Sequence, residues 1–406
     1  MASVARASLR REAGVEQHAT TLELFYDLVF VFAITQVSHL LVDEVTWTHA
    51  GQAALVLLVV WWSWNYTTWV TNELDPGSIV VRLLLIGLML ASLLMAIAIP
   101  DAFGDKALLF AGAYVTIQVG RHLFLTYVAA DAGTNERVRA GRILIWFLAA
   151  GVLWIAGALA DGSSRTVLWL AALAVDYAAP MLTFWVPRGS RLTPEAWEVG
   201  TEHFAERFQL FIIIALGESI VITGATTAQH ELTTATIVAF SLAFLITAAL
   251  WWLYFNLVAA IAERRLAEAV NRTVLARDAY TYLHVVIVAG ILLTAVGDEL
   301  VIAHPTDELP DGELLAVVSG PALYLLALVL LRLRMSRTLG RRRLAGAIAC
   351  MAVGAIGTFV PALVVAALLF VVLVAVIVDD QVAGARRRRR GEPSPLERVE
   401  AAPQTG

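Results

Sequence analysis

About twelve stretches of this chain run for roughly 16 to 24 residues with almost no charged side chain, and no other feature limits the fold so strongly. At 1.5 Å of rise per residue, about 20 residues of helix cross about 30 Å of hydrocarbon. Inside that medium every backbone N–H and C=O must be satisfied locally, and segments this long and apolar on all sides do so as helices. The segments are 24–42, 52–71, 79–99, 107–129, 143–160, 166–186, 208–226, 235–258, 280–297, 314–331, 344–359 and 361–378. The last two are read as a hairpin bent at Thr358-Phe359-Val360-Pro361, because proline breaks or kinks a helix. One long kinked helix, with eleven spans in all, is the alternative. At 59% hydrophobic, 16% charged and mean hydropathy +0.74, the 406 residues lie outside the soluble globular range. A water-soluble enzyme is excluded, and an all-α integral membrane protein, a polytopic bundle of about 12 transmembrane helices, is expected.

Arginine sets the orientation, since short loops rich in Arg or Lys stay on the cytoplasmic side. Arg6, Arg10 and Arg11 precede the first span, and Arg137, Arg139 and Arg142 follow the fourth. Arg188 and Arg191 follow the sixth, Arg264, Arg265, Arg272 and Arg277 the eighth, and six arginines from Arg332 to Arg343 the tenth. The opposite loops hold Lys106 and Arg165 beside Asp43, Glu44, Asp101, Asp105, Asp161 and an acidic run from Asp298 to Glu313. Glu73 and Asp75, in the second loop, break the pattern. Both termini are therefore placed in the cytoplasm. The expected organisation is a cytoplasmic segment 1–20, a six-helix half 21–186, a linker 187–205, a second half 206–378 and a disordered basic tail 379–406. The first twenty residues lack the apolar core and cleavage site of a secretory signal, and the Arg386–Arg390 run reads first as a topology anchor and second as a site for anionic lipid or a partner.

Several chemistries are removed by counting. Lys106, the only lysine, sits in a short polar connection, so neither a phosphate-binding P-loop nor a buried Schiff base can be built. Cys350 is the only cysteine, which excludes an internal disulfide and cysteine-ligated metal. The eight histidines form no H-E-x-x-H and no i, i+4 pair. No metal, no cofactor and no nucleic-acid partner are expected. The lipid bilayer is the partner that composition demands, an ion or small solute is a possible substrate, and no residue pattern sets an oligomeric state.

Two helix openings resemble each other. Glu23-Leu24-Phe25 and Glu206-Arg207-Phe208 lie 183 positions apart, both at the start of a span entered from the same side, as in parallel six-helix repeats. Residues 22–39, LELFYDLVFVFAITQVSH, resemble the opening signature of the bacterial low temperature requirement protein A family. Residues 206–219, ERFQLFIIIALGES, resemble its second signature, and Arg277-Asp278-Ala279-Tyr280-Thr281-Tyr282-Leu283-His284 is also similar to that family. The resemblance covers about 18 to 378 and implies a polytopic bacterial inner-membrane protein of a family named for a growth phenotype. Phe25-Tyr26-Asp27-Leu28-Val29-Phe30 is also similar to the F-S-D-containing first helix of lysosomal-type potassium channels, with Tyr26 in place of the serine.

Ionisable groups within hydrocarbon cost about 2.5 to 3.5 kcal/mol each on insertion scales, so they need a partner, water or a function. Thr20-Thr21-Leu22-Glu23 fits a capping box, and Asp27 lies a turn deeper. Glu23, Asp27, Thr35, Ser38 and His39 fall within about 160° on one helix and make a polar stripe that should face the bundle or a wet path. Glu218, near the middle of its span, forms a second arc with Ser219, Thr223 and Thr226, while Gly217 and Gly224 would admit a close helix. Glu218 is either a neutral hydrogen-bonded acid or the proton site of a carrier. Asp176 needs a partner, with Arg121 the candidate by charge; Asp278 is a further buried charge, and His122 and His284 read as core histidines. Trp61, Trp62 and Trp64, beside Asn65 and Thr67, are packing residues or an aromatic pocket.

These residues favour a transporter or channel-like permease, with Asp27 and Glu218 lining its path. A lipid-modifying enzyme ranks lower, because no nucleophile–base or metal constellation can be read. A non-catalytic adaptation protein is the other alternative. The arginine pattern makes one direct prediction: cysteines placed at Asp161 and Pro310 label from outside intact cells, and one at Arg188 does not. External labelling at 188 would overturn the orientation.

Overall fold

The computed structural model describes residues 9–11, 17–42, 45–189, 192–193, 197, 199–393 and 396–397. The expectations placed on Arg6, Arg191, Asp43, Glu44 and the tail positions 394–395 and 398–406 lie outside the described residues. Every expected apolar segment is mainly helical, though 166–186 and 344–359 outrun their helices and 235–258 crosses a break: α1 Thr21–Val42, α2 Trp47–Glu73, α3 Ile79–Ala98, α4 Ala107–Phe124, α5 Asn135–Leu159, α6 Gly162–Met181 and α7 Thr201–Gln229. They continue as α8 Thr234–Phe255, α9 Val258–Glu268, α10 Arg272–Leu275, α11 His284–Ala303, α12 Asp311–Ser336, α13 Arg341–Gly357 and α14 Ala362–Arg389. Two π-helical stretches, Leu125–Ala129 after α4 and Ala276–Leu283 between α10 and α11, widen the spiral. Among the described residues the only strand-like pairing is the isolated bridge of Arg10 with Leu74.

Among the described residues, nine helical stretches are long and apolar enough to cross a membrane. α2, α6 and α13 fall short for different reasons: α6 carries both Arg165 and Asp176 within its 20 residues. α2 carries Ser63, Asn65, Thr67, Thr68 and Thr71 and buries all of them, whereas α13 has only 17 residues. On α3 the inward Val81, Leu85 and Met95 are apolar, and so are the exposed Leu83, Ile86, Leu90 and Ile97. A water-facing helix would be polar on that second side. The chain is an all-helical, multi-pass membrane protein.

Two compact units divide it: residues 1–37 with 54–207, and residues 38–53 with 208–406. Within the first, the helix ends meet in two sets. The N-terminal segment, the α2–α3 turn and the start of α5 are joined by Arg10 with Glu136 at 2.6 Å and Arg139 with Glu73 at 2.5 Å. Glu73, which broke the arginine pattern, is thus neutralised by an arginine of the next basic loop. At the other ends of these helices, Arg165 of α6 donates to the backbone carbonyls of Phe103 and Gly104.

In the second unit α11 and α12 pack most closely. A Cβ on Gly290 would lie 2.7 Å from the Tyr324 backbone nitrogen, and one on Gly320 2.5 Å from that of Thr294. The expectation that Gly217 and Gly224 admit a helix is corrected, since among the described residues nothing lies within 4 Å of a Cβ on either. Small residues mark close packing only where a second helix is present to fill the notch, which α7 does not have at those positions. The last apolar segment is two helices, with Pro361 capping α14, so the hairpin holds and the long kinked helix does not. α14 runs on to Arg389 rather than ending at Val378. Arg343 to Asp380 at 3.2 Å and Arg342 to Asp379 at 2.5 Å hold the extension, and arginines suit a helix C-terminus.

The glycines supply a paired prediction. Gly290→Ala forces Tyr324 to shift and costs about 1–3 kcal/mol of stability as overpacking does. Gly217→Ala, with open space, is neutral or stabilising by up to about 1 kcal/mol. Thermal unfolding of both variants in detergent checks this, and equal effects would refute the packing argument.

Candidate functional site

The N-terminal segment and the first two turns of α1 and α7 bring together the acids and bases that the sequence scatters over 196 positions, from Arg11 to Arg207. Glu23 forms the expected capping box, accepting from the Thr20 backbone N–H at 2.9 Å and the Thr20 hydroxyl at 2.8 Å, while its own N–H reaches Thr20 Oγ1 at 3.4 Å. The same carboxylate also accepts from Arg11 Nη2 at 3.0–3.1 Å, His203 Nε2 at 2.9 Å and Arg207 Nη1 at 3.0 Å. Both of its oxygens are saturated. The cap and the buried cluster are therefore one structure rather than competing readings.

Asp27, one turn deeper on α1, is held differently. Its Oδ1 accepts from Trp64 Nε1 at 2.7 Å and Arg207 Nη2 at 2.5 Å, and its Oδ2 has no hydrogen-bond partner among the described residues. Arg207 Nε is likewise buried without one. The side chains of Glu23, Asp27, His203 and Arg207 are all 0% exposed. Two carboxylates face two guanidiniums, so the cluster is charge-balanced, which offsets the large cost of taking each ion out of water.

Asn72 on α2 orients the histidine. Its Oδ1 accepts from the Gly200 N–H at 2.9 Å, so its amide nitrogen faces His203 Nδ1 at 3.0 Å. Nδ1 is then the acceptor and Nε2–H donates to Glu23. The short approach of Arg11 Nη2 to Nε2, 3.0 Å, is donor to donor and is held by the carboxylate they share. Thr71 adds an acceptor for Arg207 Nη1 at 3.3 Å.

The stripe expected on α1 breaks after Asp27. Thr35 is half-buried and bonds its own Val31 carbonyl at 3.1 Å, Ser38 is buried and His39 is exposed. The inward face of α1, marked by buried Tyr26, Phe30, Ile34 and Val37, is centred near Glu23, so His39, about 160° round from it, falls on the outer side. Arg121 does not meet Asp176. Asp176 accepts from Tyr114 OH at 2.7 Å and Trp154 Nε1 at 3.0 Å. Tyr114 and Arg121 are seven residues, about 10.5 Å, apart along α4, which puts the acid and the arginine at different depths. Arg121, fully buried, donates to Thr67 Oγ1 at 2.8 Å, to the Ser63 carbonyl at 3.3 Å and to Gln118, and lies over the Tyr66 ring. Thr67 also accepts from Tyr26 OH at 2.8 Å, which ties α1, α2 and α4 together.

In the second unit Glu218, Ser219, Thr223 and Thr226 are buried as a set. Ser219 and Thr223 hydroxyls return to carbonyls of α7 itself, and Thr226 donates to Glu299 at 3.1 Å. Asp298, also buried, has an Oδ2 without a hydrogen-bond partner among the described residues. His284 donates from Nδ1 to the Ala279 carbonyl at 2.8 Å and accepts at Nε2 from Tyr254 OH at 2.8 Å, so it is a satisfied core histidine. Asp278 is only partly buried, clamped by Arg277 at 2.8 Å and Arg334 at 2.9 Å.

The offset of 183 does not align like with like. Glu23 is buried while Glu206 is 37% exposed and bonds the Ala19 N–H; Phe25 is exposed while Phe208 is buried. Sequence reading missed Arg207, His203, Arg11 and Asn72 as site residues. One signal was available: His203 and Arg207 stand at i, i+4, on one face of an apolar helix.

The geometry predicts unequal mutational costs. Arg207→Met strands buried Asp27 and costs about 3–5 kcal/mol. Asp27→Asn keeps an acceptor for both donors and costs about 1–2 kcal/mol. In detergent unfolding, Asp27→Leu combined with Arg207→Met should cost at least about 1 kcal/mol less than the sum of the singles. Strict additivity would show that the pair is not coupled.

The model of the family described as bacterial low temperature requirement A protein matches residues 18–378. A protein of Rhizobium meliloti (strain 1021), described as uncharacterized, is 38% identical over 331 residues, which cover 82% of this chain and 81% of that protein. No solved structure matches the chain. With the matched span running from just before the capping box to the end of the last apolar segment, the chain belongs to the bacterial low temperature requirement A family.

Proposed function

We propose that the protein is a transporter or channel-like permease for ions or a small solute in the bacterial inner membrane, with twelve crossings and both termini in the cytoplasm. One observation carries the reading: beside a saturated Glu23, the Asp27–Arg207 pair is buried yet half-open, with one carboxylate oxygen and one guanidinium nitrogen unbonded among the described residues. Such a pair has capacity left for a proton, a water or a cation, while Glu23 keeps α1, α2 and α7 registered. Protonation of Asp27 would weaken the hold on Arg207 without unfastening the helices. Glu218, buried with hydroxyls along α7, supplies a second titratable position. The grouping of arginine-bearing helix ends supports the sidedness, by the rule that basic loops stay inside.

A second reading has its own support. Glu23 with all its lone pairs engaged is what a static fastening looks like, and a non-catalytic membrane protein needs nothing more. Flux separates the two. Proteoliposomes screened with protons, alkali cations and amino acids should show substrate-dependent flux, reduced at least about tenfold by Asp27→Asn as loss of a transport-path acid would do. Glu218→Gln should preserve folding and remove any pH dependence. Absence of flux for every solute, or flux unchanged in both variants, would leave the fastening as the function of the cluster.

A further inference from the structure

Away from the Glu23 cluster, the second unit holds a cavity of about 550 Å³ bounded by α8, α9, α12, α13 and α14. Arg265, Arg332, Arg342, Arg343, Arg387 and Arg388 line it, against the acids Asp380 and Glu392. Arg343 is committed to Asp380 at 3.2 Å, and Arg342 to Asp379 at 2.5 Å. The other four have no carboxylate within 4 Å among the described residues. Among the described residues, Arg265 Nε is buried without a hydrogen-bond partner, and Arg332 Nε reaches the Thr338 hydroxyl at 3.2 Å. A topology anchor needs net charge alone. It does not need guanidiniums from α9, α12 and α14 converging on one cavity, where their mutual repulsion opposes folding.

The remaining wall is apolar. Trp252, Leu257, Leu331 and Ile377 line the same cavity, and Trp252 and Val378 beside it are exposed among the outward apolar residues. Arginine forks match phosphate oxygens, and basic pockets between membrane helices take phospholipid headgroups. We propose that this cavity binds a phosphate group, carried either by an anionic phospholipid or by a soluble phosphate compound, with the apolar wall favouring the lipid. The site stands apart from the permease reading and does not depend on it.

The test is thermal unfolding of the full-length protein in detergent. Short-chain phosphatidylglycerol, short-chain phosphatidylcholine and inorganic phosphate are titrated separately, since a ligand that binds only the folded state raises its stability with concentration. A rise with phosphatidylglycerol alone assigns the lipid, and an equal rise with inorganic phosphate assigns the soluble source. Arg265→Gln/Arg387→Gln/Arg388→Gln should raise the apparent dissociation constant at least about tenfold, as expected when charge-assisted bonds to phosphate are removed. Arg264→Gln/Arg389→Gln, which removes charge outside the cavity, should leave it unchanged. No rise with either phosphate probe, an equal rise with phosphatidylcholine, or equal losses in the two variants would overturn the site. If the triple variant fails to fold, quenching of Trp252 by brominated phosphatidylglycerol, measured as wild type minus Trp252→Phe, decides instead; absence of quenching overturns the lipid assignment.

Discussion

One carboxylate holds the first unit in register. Glu23 gathers donors from the N-terminal segment, from its own helix start and from two residues of α7. Because its side chain is completely buried, each of those bonds is stronger than its counterpart at a wet surface, and each would be costly to leave unmade. The positions of Arg11, His203 and Arg207 follow from that demand. Asn72 and Thr71 of α2 are drawn in as the groups that complete the bases. The cluster behaves as one object, and its members have no independent meaning as single sites.

Beside it, Asp27 illustrates how an equal charge can have a different role. The two acids share Arg207 and stand four residues apart, but only Glu23 has both oxygens filled. A saturated group resists change, since any new bond must displace an old one. An acid with one bare oxygen can accept a proton or a solute without losing what it already holds. This asymmetry separates fastening from function more sharply than burial does, for both side chains are completely buried.

The helices were legible in the sequence because hydrocarbon leaves a long apolar segment one way to satisfy its backbone. The capping box at Thr20–Glu23 and the bend at Pro361 were legible for the same local reason: their physics is contained within a few residues. What lies between distant segments was not. Charge alone suggested Arg121 for Asp176, but depth along α4 decides, and Tyr114 and Trp154 take the acid instead. Glycine spacing on α7 suggested a close neighbour, and the neighbours turned out to be on α11 and α12. Arg11 and Arg207 read as loop or helix-start arginines, because a basic residue near a helix end has an ordinary explanation ready to hand. Their convergence on one acid is a tertiary fact that no local pattern encodes.

The π-helical stretch Ala276–Leu283 carries a consequence for comparing members of the family. Each widened turn takes up extra chain without lengthening the helix in proportion, so the stretch acts as an angular buffer for everything after it. Losing one residue there, with a widened turn relaxing to the ordinary pitch, would leave α11 in phase with the chain before it. His284 would keep Tyr254, and the Gly290 notch would keep Tyr324. The same loss inside α11 would rotate the rest of that helix by about 100° and break the second contact. A one-residue alignment gap between Arg277 and His284 is therefore absorbed locally, whereas one a few positions later is not.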